Sequence, residues 1–553
     1  METQKKYSVK LDEAVEYKIS SYMQMDDITR RNLELTKTKR LLKRKGSIFW
    51  FLNSTKTPMG QRLLKKYINE PLLDINIIKQ RQSAVCELIS KQEFLSKLEN
   101  VMENFCDLSR LCAKISNSTI LPKNLFQISE NADFLSEIFN ICEKLDSPLL
   151  KINEKELSKT EDFILELKSA ISDESSSDLK SGNIIKEGYD ANLDYLKDKL
   201  KTTESKLNTY VKKEAARLNI EKMNLSKSNT IGYFIEVPSS KINHIPHDYI
   251  KKQTLSNCAR YTNDIIKKYE QEIFNLIFQI NQLEYDLFCN LRKKAQLFVD
   301  TIRNLAKDIA RIDVLSTFAR CAIDNKFIKP EFNKEGIYIK NGYHPSLIKL
   351  GNEIVKNDIM LDNNSTIILT GANMSGKSTF LKQNAIICLF SQIGAFVPAD
   401  SADITITDKI FFRQGITDDI INNNSSFMVE MNDLKFVIEN STDKSLILLD
   451  EPAKSTNERE GGAIARAFVE YIVDNIKSKM IVVTHNHQLT NIEATYKPKV
   501  QNFMMESFSN PNGIMYSRKI KKGAVESSFA LDTAELADLP VEIINRAKEI
   551  LLN

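Results

Sequence analysis

The chain has 553 residues, with 77 Lys and Arg against 73 Asp and Glu, 42% apolar residues, and only 16 Gly and 13 Pro. That length exceeds what one core can hold and predicts several domains, while the scarcity of Gly and Pro favours long helices over turn-rich β structure. No apolar run is long enough to span a bilayer, and the opening "METQKKYSVKLDEAVEY" lacks the apolar segment of a secretion signal. The eight cysteines lie far apart with no C-x-x-C pair, which argues against a disulfide frame or zinc site. They point instead to reduced thiols in a cytoplasmic protein, or a nuclear one in a eukaryote.

In chain order, residues 1–170 carry apolar residues at three- and four-residue spacing, as in "SIFWFLNSTKTPMGQRLLKKYI", and read as helical. "SDESSSDLKSGN" (172–183) reads as a loop, and an amphipathic pattern then runs from Ile185 to about Lys213. "NTIGYFIEVPSSK" (229–241) switches to a β-like run ending at Pro238. Residues 196–270 hold fifteen Lys and Arg against eight Asp and Glu, so the net charge of +4 is concentrated here and the remainder sums to about −3. Such a segment suits a polyanion, DNA or RNA being the usual one; a solvated helix face is the alternative. No proline falls between Pro246 and Pro330 and no glycine between Gly232 and Gly336. Ile266, Tyr269, Ile273, Leu276, Ile277, Ile280, Leu283 and Leu287 form one stripe there. A single helix over 262–322 would be roughly 90 Å long, a lever; two shorter helices in a bundle are the other reading.

After "NKFIKPEF" the texture changes. "STIILT", "SLILLD" and "MIVVTH" read as buried parallel strands, making roughly 330–510 an α/β domain. The segment Gly371-Ala372-Asn373-Met374-Ser375-Gly376-Lys377-Ser378, followed by Thr379, fits G-x-x-x-x-G-K-[ST] between a strand and a helix. Glycines permit a loop whose N–H groups surround phosphate oxygens; Lys377 would reach the β- and γ-phosphates of ATP, and Ser378 would ligate Mg²⁺. Asp450 and Glu451 end "SLILLDE", where Asp450 can hold the Mg²⁺ shell and Glu451 can orient or deprotonate the attacking water. His485 ends the next strand, where it senses or polarises the γ-phosphate or is simply an exposed ring. This order is that of ATP-binding-cassette ATPases, in which a Ser-bearing stretch from a second subunit closes the site. Ser425 and Ser426 in "NNNSSFMVEM" (422–431) are the candidates, with a plain helix-capping loop as the alternative.

These segments resemble the MutS family of DNA mismatch-repair ATPases. "TGANMSGKSTFLKQ", "GAFVPA", "SSFMVEM", "LLDE" and "THNHQLT" follow in family order. Upstream, "MDDITRRNLEL", "TPMGQRLLKKYINEPLLD", "EGYDANLDYL" and "GYFIEV...DYIKKQTLSNCARY" are similar to its core, lever and clamp. "ESSFALDTAELADLPVEIINRAKEIL" resembles its C-terminal dimerisation tail. The resemblance implies a multidomain chain. It would have a helical core and first lever (1–195), a small mixed α/β clamp touching DNA (196–265) and a returning lever helix (266–328). An ABC-type P-loop ATPase domain (329–510) and a helical dimerisation tail (511–553) would follow. Lys251, Lys252 and Asn257 are the best candidates for DNA-backbone contact, with Lys212 and Lys213 behind them.

Several departures stand out. The lever-like "MDDITRRNLEL" begins by Met25, so the family's mismatch-reading and connector domains are expected to be absent. "PAKSTNEREG" replaces the usual I-G-R-G-T-S-T-x-x-G after Glu451, Ile354 stands where an aromatic often stacks on adenine, and Ala372 replaces a proline. The expected protein is a homodimeric or heterodimeric DNA-dependent ATPase with ATP and Mg²⁺ as cofactors. It would encircle mismatched double-stranded DNA and act with downstream repair factors. A clamp for branched recombination intermediates is the alternative. A transporter-coupled cassette is opposed by the lever and "QTLSNCARY", and a dead nucleotide site by intact Lys377, Ser378, Asp450 and Glu451.

Overall fold

The computed structural model describes residues 18–173, 182–228, 230–372, 374–415, 426–510, 513–524 and 539–552. Helices α1 (Asp27–Asn32), α2 (Ile48–Leu52), α3 (Pro58–Asn69), α4 (Ile75–Ser90) and α5 (Gln92–Glu103) come first. Helices α6 (Leu108–Ser116), α7 (Pro122–Cys142), α8 (Glu154–Ala170) and α9 (Ala191–Arg217) follow. Strands β1 (Asn224–Ser228), β2 (Gly232–Pro238), β3 (Ile250–Thr254) and β4 (Cys258–Thr262) lead into α10 (Asp264–Leu297) and α11 (Val299–Asn325). The described residues fall into two compact units. One comprises Cys106–Ser136 and Asn153–Ala306; the other comprises residues 18–105, Glu137–Ile152 and the chain from Lys307 onward.

In the first unit α9 and α10 support an antiparallel sheet ordered β1-β2-β4-β3. Leu207 and Val211 of α9 and Ile266 and Ile273 of α10 bury against Ile235 and Val237 of β2 and Ala259 of β4. Asn263 caps α10 by accepting from the Ile266 N–H at 2.9 Å, and its amide donates to the Tyr210 hydroxyl at 2.8 Å. The single long helix expected over 262–322 is interrupted at Phe298, whose N–H turns back to the Ala295 carbonyl and whose ring stacks on Phe163 with centroids 4.7 Å apart. No Gly or Pro marks the break. The stripe also differs from the expected one: Glu284, fully buried, takes a core position while Leu283 and Leu287 are only partly covered. Lys197 of α9 meets the Glu284 carboxylate at 2.7 Å, and the Ile184 N–H donates to its other oxygen. Strand β3 is an edge strand exposed along its whole length, and Lys252 bulges out between the paired Lys251 and Gln253. Lys251, Lys252 and Asn257 are all exposed on this hairpin.

The second unit adds β5 (Glu331–Asn333), β6 (Gly336–Gly342), α12 (Ser346–Leu350), β7 (Asn357–Asp362), β8 (Thr366–Thr370) and α13 (Lys377–Ile393). Next come β9 (Ser401–Thr405), β10 (Ile410–Gln414), α14 (Ser426–Asn440), β11 (Leu446–Asp450), α15 (Glu458–Tyr471) and β12 (Lys479–Val483). Short helices α16 (His487–Thr490) and α17 (Ile492–Tyr496), strands β13 (Val500–Asn510) and β14 (Gly513–Lys522), and α18 (Val541–Leu552) complete it. Its main sheet runs β10-β11-β12-β8-β13-β14, parallel up to the final antiparallel pair, so the three apolar runs read as strands are neighbours at its centre. A smaller sheet is ordered β5-β9-β6-β7. Helix α3 begins with Thr57 as cap and Pro58 in its first turn. The buried Asp313 carboxylate accepts from the Lys56 and Thr57 N–H groups and the Thr57 hydroxyl. A Cβ on Gly60 would lie 2.1 Å from Asp313 Oδ2, which explains glycine there.

The eight cysteines are free thiols. Burial pushes Cys106, Cys142, Cys321 and Cys388 up to about 12. Among the described residues no helix is long and apolar enough to cross a membrane.

Candidate nucleotide site

The site opens at the carboxyl ends of the parallel strands, where such sheets bind ligands. Fully buried β8 ends at Thr370, and the chain turns through Gly371 (φ 146°), Met374 (φ 68°) and Gly376 (φ 102°) into α13. A Cβ at Gly371 would come within 2.9 Å of the Met505 side chain. No side chain caps the N-terminus of α13, which leaves its first N–H groups facing the cleft. Ser375 Oγ is buried in the loop and finds no hydrogen-bond partner among the described residues. Uncapped donors, an orphaned hydroxyl and an adjacent ammonium fit phosphate oxygens.

Lys377 Nζ donates to the carbonyls of Gly371 and Ala372, both at 2.7 Å. Burial pushes its ammonium below the usual lysine range, opposed by Glu451 and Asp450. Ser378 Oγ donates to Asp450 Oδ2 at 2.7 Å. Burial raises the Asp450 carboxyl despite that bond. A hydroxyl and a carboxylate side by side are the hard oxygen donors that suit Mg²⁺, which takes few protein ligands beside phosphate and water. Among the described residues no three His, Cys, Asp or Glu side chains converge as a metal cage.

Glu451, just past β11, has φ 58° and donates its N–H to the Val483 carbonyl at 2.9 Å. His485 Nε2 lies 3.2 Å from Glu451 Oε1 and 3.3 Å from Lys377 Nζ. That one nitrogen can donate to the carboxylate or accept from the ammonium, so the tautomer decides between them. The hydrogen bond from His485, against the opposing effect of burial, and the Lys454 ammonium at 2.8 Å hold Glu451 down to about 2. Glu451 is therefore ionised at neutral pH.

The sequence reading brought Met374, Gly376, Lys377, Ser378, Thr379, Asp450 and Glu451 to one cleft of about 810 Å³, and the structure places them all on its wall. Asn373 and Ser425 lie outside the described residues. Ser426 begins α14. Ile354 is exposed and is not among the cleft's lining residues. The reading missed the far wall: Glu34, Lys39 and Arg40 from the segment after α1, Lys382 on α13, and Lys454. Glu34 pairs with Lys382 at 2.7 Å and accepts from the Lys39 N–H at 2.8 Å. Lys39 Nζ donates to the Gln414 carbonyl at 3.0 Å. Helix α1 is held on β10 by the Asn32 amide to the Phe412 carbonyl and by buried Arg413, whose guanidinium grips Asp26 at 2.6 and 3.2 Å. The cations gathered there suit a polyanion.

Behind this wall His344 Nδ1 is shut away from solvent and finds no hydrogen-bond partner among the described residues. Burial, then the Lys382 charge, lowers the imidazole to about 4 from its ordinary 6.5. Between these values the unfolded chain binds the proton and the folded one does not, so stability is full above 6.5 and declines as pH falls toward 4. Urea titrations should show a loss of at most about 3 kcal/mol over that window, flattened in His344→Gln; an equally steep decline in the variant would assign the loss elsewhere.

A parallel sheet with a glycine-bounded loop, a Ser–Asp pair and a Glu–His pair at its mouth is the arrangement of a P-loop fold. Comparison places it further. Residues 28–319 match the family model for MutS domain III and residues 367–553 that for MutS domain V. The chain belongs to the MutS family. It is 39% identical over 543 residues to a DNA mismatch repair protein MutS of Caldicellulosiruptor bescii, covering 97% of this chain and 63% of the relative. The protein of that name from Caldanaerobacter subterraneus subsp. tengcongensis is 39% identical over 97% of this chain and 62% of its own length. That of Clostridium novyi is 37% identical over 100% and 61%. The chain thus spans less than two thirds of these relatives.

Proposed function

We propose that the chain is a DNA-dependent ATPase of the mismatch-repair kind, in which ATP turnover at the P-loop controls a grip on duplex DNA. The observation that carries this reading is the convergence of Lys377, the Ser378–Asp450 pair and Glu451 on one cleft, with His485 set against Lys377 and Glu451. The relatives, named as mismatch repair proteins, supply the process. In this reading the loop N–H groups and Lys377 bind the phosphates, with Lys377 exchanging its carbonyl partners for phosphate oxygens. Ser378 and Asp450 would hold Mg²⁺, which supplies charge neutralisation on the phosphates. Glu451 accepts the proton of the attacking water, whose oxygen bonds to the γ-phosphorus as the bond to the ADP oxygen breaks. His485 orients Glu451 and donates toward the γ-phosphate. A second subunit would supply Ser425 to close the cleft, and α18, with exposed Val541, Ile543 and Ile550, would join the subunits. The β3–β4 hairpin with Lys251, Lys252 and Asn257 would touch the DNA backbone without reading sequence.

Fluorescence anisotropy on homoduplex, single-mispair duplex and four-way junction, with and without ATP, tests this. Binding should weaken steeply with salt. The Lys251→Gln, Lys252→Gln double variant should lower the slope of log K against log salt by about 2 per protomer. Absence of binding to all three at low salt would overturn the reading. Equal affinity for all three, with or without ATP, would remove its preference for particular DNA structures.

A further inference from the structure

The turn carrying Glu451 is held in an unfavourable shape by a group with no role in the mechanism above. Glu451 and Ala453, both with a Cβ, take φ of 58° and 57°, a region such residues avoid unless their surroundings impose it. One constraint is packing: Ala453 is buried in the core, and its carbonyl oxygen would lie 2.3 Å from a Cβ on Gly461. The other is Glu430, one turn into α14 and only 7% exposed. Its Oε1 accepts from the Lys454 N–H at 3.3 Å and its Oε2 from the Ser455 N–H at 3.2 Å. Lys454 then returns through its side chain to Glu451 Oε2 at 2.8 Å, and Glu451 meets His485 on its other oxygen. One residue therefore joins the Glu430 carboxylate to the Glu451 carboxylate.

We infer that Glu430 is a positioning residue for Glu451: its two carboxylate oxygens pin the turn after β11 so that Glu451 points at the attacking water. The inference rests on Glu451 acting as the base. It has a further consequence for the fold. Glu430 lies one turn beyond Ser426, where α14 begins, so any movement of that helix start is transmitted to the catalytic turn through two backbone hydrogen bonds. A carboxylate is required because both facing groups are N–H donors. Glutamine would turn one of its own N–H groups against a donor and leave that donor unpaired.

The test is Glu430→Gln in the whole chain, with ATP turnover, binding of a fluorescent ATP analogue and single-turnover rates in the Glu451→Gln background. Because a misplacement of about 1 Å at the reacting centre costs on the order of a hundredfold, Glu430→Gln should lower kcat by about 10- to 100-fold. Analogue affinity should stay within about twofold, since the phosphate loop is untouched. In the Glu451→Gln background the same change should have no further effect on the residual rate, as expected for a residue acting only through Glu451. Turnover near the wild-type value, a parallel loss of nucleotide affinity, or multiplying losses in the double variant would each overturn the inference. Should Glu430→Gln fail to fold, Glu430→Asp keeps both acceptor oxygens and carries the same measurements. Failure of the underlying reading looks different: Glu451→Gln alone would then hydrolyse ATP as well as the parent chain.

Discussion

On the proposed function, Glu451→Gln should lower ATP turnover by about 10²- to 10⁴-fold, the range a positioned general base contributes, and should leave ATP affinity within about threefold. Glutamine keeps the shape of the side chain but loses the lone-pair basicity that accepts the proton of water. The groups that would bind phosphate are untouched: Lys377 stays on the loop carbonyls and Ser378 on Asp450. The variant also removes a negative charge from the cleft proposed to hold the triphosphate, which works against any loss of affinity. Neutralisation of the carboxylate releases Lys454, whose ion pair at 2.8 Å is with this oxygen. Single-turnover hydrolysis beside equilibrium nucleotide binding separates the two effects. Hydrolysis at the parent rate would remove Glu451 as the base, and a matching collapse of binding would make it a structural group.

The largest stability effect is expected at the Lys197–Glu284 pair. Lys197→Met leaves the Glu284 carboxylate, 0% exposed, without its cation and, among the described residues, with the Ile184 N–H as its hydrogen-bond donor. Breaking a buried pair by removing one partner costs about 3–5 kcal/mol, whereas replacing both partners with apolar groups is often close to neutral. Lys197→Met should therefore lower the unfolding free energy by that amount in urea titrations. The Lys197→Met, Glu284→Leu double variant should recover most of it. A single-variant loss below about 1 kcal/mol would mean that the ion pair contributes little to stability.

What the sequence made legible follows from how local each signal is. The phosphate loop, the Asp450–Glu451 strand end and His485 each follow an apolar strand directly, so a linear pattern fixes their position at the sheet mouth. Glu34, Lys39 and Arg40 reach the same cleft from more than 300 residues upstream, through Asn32 and Asp26 docking on β10, and no periodicity announces that. Glu430 lay inside a motif read for its serines, but its partners are backbone amides, which leave no mark in side-chain identity. Glu284 interrupts an apolar stripe because its charge is answered by Lys197 on the antiparallel helix, a tertiary event. The break at Phe298 left one long helix and two shorter ones both open in the sequence, since no glycine or proline marks it; Phe298 stacks on Phe163 there. Of the four-stranded sheet between α9 and α10 the residues alone showed one β-like run, 229–241, its other strands being too short for a strong alternation signal.

The edge strand β3 has one more implication. Its outer N–H and C=O groups form an open template onto which an extended segment of any chain could add, the usual route to unwanted polymerisation of β proteins. A protruding lysine at the bulge and another beside it are a familiar deterrent, since a second strand arriving there would have to bury two ammonium groups. Lys251 and Lys252 thus guard solubility whatever else they touch. Apolar replacements there would confuse loss of DNA affinity with self-association, and glutamine is the safer choice.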